Sequence, residues 1–309
     1  MSRLVTRMIR RHADDGRRSR QPNESHRPTK SHQMSKSGKV MLWLSALGLG
    51  FSAALPALAQ APKAVDFQRV TVAEGLDLPM EFEISADGRA FVVSKCGKFY
   101  GWKLDGGVAT QTSTVPNVRC VFEDGLLSLA LDPNFTQNNY LYVQYTSPGS
   151  KTRVSRFTVN ANNGLNTASE SILLEWTTGN EAHGHMGGSL KFDKSGNLII
   201  TTGDNNAASG YFSAGAQATS GNTNDLRGKV LRITPTADGK YTIPAGNLFP
   251  ADATHRAEIY GMGFRNPFRI NLDPLTGYLY VGDIGPDASA DSAEGPGGRG
   301  ELGLGIVQV

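Results

Sequence analysis

Apolar and polar residues alternate with a period of two along most of the chain between about residue 80 and residue 281. The alternating runs are short, rich in β-branched and aromatic residues, and separated by Gly, Asn, Asp and Pro, which is typical of short β-strands. No stretch keeps a 3.6-residue period long enough for a helix of three turns. The sequence therefore predicts an all-β fold, with strands over 81–84, 90–94, 98–104, 140–145, 154–159, 197–202 and 278–281.

One strand–turn–strand unit recurs four times. When Ser85, Asp132, Asp193 and Asp273 are taken as equivalent points, the spacings are 47, 61 and 80 residues. The first spacing is ordinary for a four-stranded propeller blade, and the longer ones require inserted loops. A β-sandwich also has short strands and turns, but it does not explain a repeated hairpin. The repeat therefore favours a β-propeller.

Composition and charge exclude several classes of protein. The chain has 309 residues, of which 39% are hydrophobic and 19% charged, so a disordered chain is excluded, and two cysteines cannot form a disulfide scaffold. The net charge of +3 is unevenly distributed, with +8 in residues 1–59 and −5 in residues 60–309. Because the body of the chain is acidic, we expect no nucleic-acid partner.

The basic N-terminal part contains a secretory signal. A short basic stretch from Met34 precedes the uncharged run 40–55, and the small-residue motif 57–59 follows it, so we predict a signal peptide over 34–59. A membrane anchor is the alternative, although 16 residues are few for a span. We expect a periplasmic or extracellular protein without a membrane span after cleavage. We interpret residues 1–33 as an upstream extension that is disordered or mis-started, and a functional basic arm is the alternative.

Export also bears on the two cysteines. Cys96 and Cys120 would reach an oxidising compartment, where a disulfide between them is reasonable. Two buried thiols are the alternative, and the residues alone do not separate the two.

Candidate chemistry lies in the loops. His183 and His185 stand in a glycine-rich stretch before a strand, where a general base, a metal pair or a structural loop histidine are all compatible with the residues. Oxygen-rich loops at 203–206, 222–228 and 282–287 suit calcium or hydroxylated ligands, although Asx and Gly also dominate ordinary turns.

A further candidate is the sequence Phe264-Arg-Asn-Pro-Phe-Arg269. The guanidinium of Arg265 and the amide of Asn266 suit the binding of carboxylates, and a proline fixes the chain directly after them. A surface arginine is the alternative interpretation.

These motifs together resemble one family. They are residues 124–135, 185–193, 196–198, 202–204, 224–233, 241–244, 247–250 and, most specific of all, 258–269 followed by 282–286. In order and spacing they are similar to the glucose/sorbosone dehydrogenase family, soluble six-bladed propellers that use pyrroloquinoline quinone (PQQ) to oxidise sugars. The resemblance implies that residues 60–294 are a partial propeller of about four blades. It also implies that 295–309 is an aberrant Gly-rich end of a truncated chain.

The resemblance also implies a site. His185 corresponds to the histidine that takes the hydroxyl proton as general base while hydride passes to the quinone. Arg265, Asn266 and Asp204 correspond to cofactor-binding positions. A sugar or polyol substrate and an external electron acceptor are implied as partners.

Calcium is implied by the same comparison, through the backbone carbonyls of Gly285 and Pro286. The chain departs from the family at three places. Gly184 replaces an aspartate, which calls glucose itself into question, Glu123 replaces a glutamine, and residues 299–302 replace an acidic calcium ligand. Alternative functions are therefore a non-catalytic propeller that binds carbohydrate or protein, or an inactive truncated fragment.

Overall fold

The computed structural model describes residues 70–178, 184–205, 218–249, 252, 254–285 and the strand 302–308. The predicted extension (1–33), the signal peptide (34–59), His183 and Pro286 lie outside the described residues, and their predictions are untested. In the described ranges, helix is confined to the single turn α1 (Phe135–Asn138) and to residues 218–220. No helix in these ranges has the length and apolar character needed to cross a membrane.

The strands form four antiparallel sheets, so the all-β prediction is confirmed. The first sheet contains β1 (Pro79–Ile84), β2 (Arg89–Ser94), β3 (Lys98–Lys103) and β4 (Gln111–Thr114). The second contains β5 (Leu126–Leu131), β6 (Tyr140–Ser147), β7 (Lys151–Val159) and β8 (Leu165–Thr177). The third contains β9 (Gly187–Phe192), β10 (Leu198–Thr202), β11 (Lys229–Pro235), β12 (Tyr241–Thr242) and β13 (Ile259–Met262). The fourth contains β14 (Pro267–Leu272), β15 (Tyr278–Ile284) and β16 (Leu302–Gln308).

The four sequence repeats form four hairpins, β1–β2, β5–β6, β9–β10 and β14–β15. Their turns follow Ile84, Leu131, Phe192 and Leu272, and we call this end of the strands the turn end. The opposite end, where β5, β9, β11 and β14 begin, is the site end. Because the strands are antiparallel, the loops that enter β9 and leave β10 meet at the site end.

Apolar side chains fill the spaces between successive sheets. Phe91 and Phe157 belong to the core between the first and second sheets, and Trp176 and Ile200 to the core between the second and third. Ile199 packs between the third and fourth. Because neighbouring positions on one strand point to opposite faces, Ile199 and Ile200 reach different cores. Both faces of the inner sheets are therefore buried.

Six strands have no counterpart among the predicted runs and repeats: β4, β8, β11, β12, β13 and β16. The thirteen-residue β8 shows no clear alternation in sequence, because more than half of its residues are exposed or half-buried and many of them are Ser, Thr and Glu. The backbone of β16 pairs with β15 over seven residues, within the segment 295–309 for which the sequence predicted an aberrant end. Glycine at alternate positions hides the period of this strand.

Arg269 in β14 ties distant strands together. Its Nη1 donates to the carbonyl oxygen of Gly188 at 3.0 Å, and its Nη2 donates to that of Met80, 189 residues away, at 2.8 Å. The guanidinium also lies 3.6 Å from the carboxylate of Glu81. Burial raises the pKa of Glu81, and the charge of Arg269 opposes that rise. The first, third and fourth sheets are thus linked through one side chain.

Candidate active site

Three loops meet at the site end. They are the residues before β9, the residues after β10 and the residues before β14, and they contain His185, Asp204 and Arg265 respectively. A polar group in a buried strand must be hydrogen-bonded within the protein, whereas a loop can present its polar groups to a ligand. Clusters of loops are therefore common binding sites. The strands that these loops enter or leave belong to the third and fourth sheets.

His185 and Asp204 form a buried pair. Nδ1 of His185 lies 2.7 Å from Oδ1 of Asp204, and the two residues are 8% and 3% exposed. Since a carboxylate oxygen accepts, Nδ1 is the donor, and in the neutral imidazole Nε2 is then left as an acceptor. Nε2 makes no hydrogen bond with any described residue. The arrangement is that of a base oriented by a carboxylate.

The backbone of His185 is held in a conformation that few side chains adopt. Its φ angle is 51°, in the left-handed region, where a residue other than Gly costs about 1–3 kcal/mol. Its N–H donates to Oε2 of Glu123 at 2.7 Å, and its carbonyl oxygen accepts from Nδ2 of Asn205 at 3.0 Å. These two bonds from distant residues keep the imidazole directed toward Asp204.

A disulfide joins Cys96 to Cys120 close to Glu123. The same loop is held by an ion pair of 2.8 Å between Arg119 and the buried Asp124. The carboxylate that binds the main chain of His185 therefore belongs to a braced loop.

The main chains of the first two loops touch. A Cβ added at Gly203 would lie 1.6 Å from the carbonyl oxygen of His185, and one at Gly187 would lie 2.7 Å from the nitrogen of Gly203. Glycine at position 203 is therefore required by the close approach of the backbone.

Asp283 organises the third loop. Its Oδ2 accepts from the N–H of Arg265 at 3.2 Å, and its Oδ1 accepts from that of Asn266 at 2.7 Å. Nη1 of Arg265 donates to the carbonyl oxygen of Ile284 at 2.9 Å. A charged acceptor shared by two successive N–H groups fixes the direction of both side chains.

The third loop is bonded to the other two. Oδ1 of Asn266, which is 4% exposed, accepts from the N–H of Gly187 at 2.9 Å. The N–H of Asp204 donates to the carbonyl oxygen of Arg265 at 2.8 Å. The structure therefore brings together four of the residues that the sequence singled out, His185, Asp204, Arg265 and Asn266.

The same order of motifs is found in known proteins. The sequence profile of the glucose/sorbosone dehydrogenase family matches residues 76–292, which is more than two thirds of the chain. The chain belongs to this family. The predicted resemblance is confirmed.

Several proteins that match the chain are named sugar or glucose dehydrogenases. The aldose sugar dehydrogenase YliI of Escherichia coli is 27% identical over 238 residues, which cover 74% of this chain and 59% of that protein. A solved glucose dehydrogenase matches with a TM-score of 0.62 and 26% identity over 77% of this chain and 67% of the other. The PQQ-bound aldose sugar dehydrogenase of Streptomyces coelicolor matches in fold, with a TM-score of 0.59 and 23% identity over 76% and 70% of the two chains. The matched part thus spans well under two thirds of the E. coli relative.

Other members of the predicted site have different surroundings from those expected. Asp204, expected at the cofactor, has Oδ1 on His185. Gly285 directly follows Ile284, which is held by Arg265, and Pro286 lies outside the described residues. Among the described residues no three His, Cys, Asp or Glu side chains are grouped to bind a metal ion. The calcium site stays a prediction, and no step is assigned to it.

Two residues of the site, Asp283 and Asn205, were not predicted. The role of Glu123, whose carboxylate accepts from the N–H of His185, was not predicted either. Asn205 and Asp283 lie in loops that the sequence singled out for their oxygen content, and Asp283 also lies in a motif of the family resemblance, but neither residue was assigned a role. A usable signal was present, because each lies at or near the end of a β-strand: Asp283 is the next-to-last residue of β15, and Asn205 is the third residue after β10. Their partners lie 17 to 20 residues away in sequence, so the pairing itself needs the sheet register.

Proposed function

We propose that this site oxidises a hydroxyl group of a sugar or polyol, with PQQ as cofactor and His185 as general base. The observation that carries the proposal is the buried pair of His185 and Asp204, with Nε2 of the imidazole left to accept a proton. Family membership supports the substrate class. An external electron acceptor completes the turnover.

The pair explains how the proton is taken. Asp204 holds the Nδ1–H tautomer, so the lone pair of Nε2 faces outward from the pair and can accept the hydroxyl proton of the substrate. The imidazolium that results is stabilised by the carboxylate at 2.7 Å. Because both residues are almost fully buried, little water competes for that charge.

The neighbouring residues fit PQQ, a planar quinone with three carboxylates. Arg265 offers a guanidinium for a carboxylate, and Asn266, whose Oδ1 is already used by Gly187, has Nδ2 available as a donor. Oδ1 of Asn205 is buried and accepts no hydrogen bond within the described chain, so it can accept one from a ligand. Arg265 and Asn266 would hold the group. When bound, PQQ accepts the hydride from the sugar carbon.

We also infer that the four sheets are propeller blades. Their first strands, β1, β5, β9 and β14, contact one another in chain order. Phe82 and Ile84 on β1 are 54% and 50% exposed, as expected of a blade face that another sheet covers. The disulfide between Cys96 and Cys120 supports the proposed periplasmic or extracellular location.

The test is reconstitution of the chain with PQQ. Quinone absorbance after desalting measures retention, and reduction of an acceptor dye with a panel of aldoses and polyols measures turnover. Arg265→Ala is expected to weaken retention at least tenfold. Arg89→Ala, which removes a guanidinium at the turn end, is the matched control and should behave as the wild type.

Each result has a meaning for the proposal. Dye reduction that needs both PQQ and a sugar supports it. No PQQ-dependent reduction with any member of the panel overturns it in favour of a binding role or an inactive fragment. Equal retention by Arg265→Ala and the wild type would overturn the assignment of this residue.

A further inference from the structure

Lys229 is a fully buried cation at the site end that the proposed chemistry does not use. It is the first residue of β11 and has 0% exposure. Its Nζ donates to the carbonyl oxygens of Thr219 at 2.9 Å, Ser220 at 2.9 Å and Arg227 at 2.6 Å. An ammonium has three N–H donors, so these bonds satisfy all of them.

The three carbonyls belong to one loop, residues 219–227, that lies against the catalytic pair. The hydroxyl of Thr219 donates to the carbonyl oxygen of Asp204 at 3.0 Å. Directly after the loop, the N–H of Gly228 donates to the carbonyl oxygen of Gly203 at 2.8 Å. The loop is therefore bonded to both residues that follow β10.

The same loop reaches the residues before β14. The carbonyl oxygen of Ser220 accepts from the N–H of Gly263 at 3.2 Å, and that of Gly228 accepts from the N–H of Phe264 at 3.2 Å. Two of the three loops of the site are thus hydrogen-bonded to residues 219–228, a segment whose carbonyl oxygens accept from the ammonium of Lys229.

We propose that Lys229 is a positioning residue for the pair of His185 and Asp204. Its ammonium takes the place that a bound metal ion would have at a cluster of carbonyl oxygens, and it draws residues 219–227 into the shape that supports Asp204. The catalytic meaning of this proposal rests on the proposed function. The structural link from Lys229 through Thr219 to Asp204 does not depend on the proposed function.

A buried lysine is costly in the absence of such a role. Burial lowers the pKa of Lys229 to about 8, Asp225 opposes the shift and Arg227 adds to it. Asp225 forms an ion pair of 2.6 Å with Arg227, so its negative charge is not available to Lys229 only. Removing the ammonium would take one donor from each of three carbonyl oxygens, of which those of Thr219 and Ser220 keep the N–H of Asn222 and of Gly263, and this is more disruptive than loss of one surface contact.

The test compares Lys229→Met with Arg156→Met. Arg156 is also a buried cation that donates to carbonyl oxygens, those of Thr236 at 2.8 Å and Ala237 at 3.1 Å, but it lies at the turn end. Each variant loses a buried cation that donates hydrogen bonds to carbonyl oxygens. The first readout is the proton NMR signal of Nδ1–H of His185 in the protein without quinone, which reports the bond to Asp204 directly.

We expect Lys229→Met to broaden or lose this signal and to lower kcat by about 10–100-fold with little change in KM, as loss of an orienting partner does at other sites. Arg156→Met should keep the signal and kcat. Thr219→Val keeps the buried charge and removes only the hydroxyl link, so it tests the proposal if Lys229→Met does not fold. It should weaken the same signal and lower kcat less than tenfold.

An unchanged signal in Lys229→Met overturns the proposal, as does an unchanged signal in Thr219→Val if Lys229→Met does not fold. Equal loss of signal in Arg156→Met overturns it too, because the effect would then be general destabilisation. The NMR readout needs no quinone, so it stands even if reconstitution gives no sugar oxidation.

Discussion

At the turn end, Asp193 accepts hydrogen bonds from the N–H groups of Ser195 and Asn197, two and four residues further along the chain. At the site end, Asp204 contacts His185, 19 residues earlier. Asp193 is the first residue after β9, and Asp204 is the second residue after β10. The same type of side chain, close to the end of a strand in both cases, thus closes a turn at one end and orients a base at the other.

The difference lies in how far away the partner is. Partners within four residues are set by local turn geometry, so turns such as that of Asp193 form without help from other sheets. Partners 17 to 62 residues away, such as those of Asp283 and Glu123, meet only once the sheets have formed. We therefore expect substitutions at the site end to change activity and folding together, and substitutions at the turn end to change local stability alone.

The largest effect is expected from His185→Ala, which should lower kcat of the quinone-loaded protein by about 10²–10⁴-fold because general-base catalysis contributes on that scale. PQQ retention should stay largely intact, since Arg265 and Asn266 remain. The matched change at the turn end, Asp193→Ala, should leave kcat unchanged. Steady-state kinetics of the two variants decide the matter, and a comparable loss of kcat in both would break the distinction between the ends.

Glycine substitutions give the next largest contrast. Gly203→Ala places a Cβ against the carbonyl oxygen of His185, so the backbone must move, and we expect a loss of about 3 kcal/mol or more in unfolding free energy. Gly196→Ala, at the turn end, meets no atom within 4 Å and has only its φ of 80° to oppose it. Its cost should be about 1–2 kcal/mol. Urea unfolding measures both, and equal costs would contradict the close approach at Gly203.

The disulfide should stabilise the site end by a similar or slightly smaller amount. It closes a loop with a sequence separation of 24 residues, so replacing both Cys96 and Cys120 by Ser should lower the unfolding free energy by about 3 kcal/mol. Mass spectrometry under non-reducing conditions checks the bond, and thermal unfolding checks its contribution. Two alkylatable thiols in freshly exported protein would contradict the pairing.

The smallest effect concerns acid. Hydrogen bonds and the charge of Arg89 lower the pKa of Asp87 at the turn end to about 2, and main-chain donation by Leu275 lowers the pKa of Asp273. A lowered folded-state pKa means stability that is present above about pH 4 and is lost as pH falls toward 2. Asp87 is exposed and its charge is screened by solvent, so its contribution to the unfolding free energy should be at most about 1 kcal/mol. Melting temperatures of the wild type and Asp87→Asn should converge near pH 2, while a gap that persists there contradicts this origin.

The two ends also differ in what the sequence could predict. The four hairpin turns, the all-β class and most strands follow from period-two alternation and from Asp, Gly and Pro at turns, which act within a few residues. His185 and Arg265 were singled out from their loop sequences, and the motif resemblance then assigned their roles. Their connections were not, because the bond from Asn266 to Gly187 spans 79 residues and that from Glu123 to His185 spans 62. Such pairings depend on which strands neighbour one another, and no local pattern encodes that.

The link from Arg269 to Met80 has a consequence for synthesis of the protein. Ribosomes add about 5–20 residues each second, so the 189 residues between the two positions take roughly 10–40 s to emerge. Throughout that time the carboxylate of Glu81 lacks the guanidinium of Arg269, and the carbonyl oxygen of Met80 lacks its donor. The first strand of the nascent chain therefore gains this connection to the third and fourth sheets only after residue 269 has been synthesised.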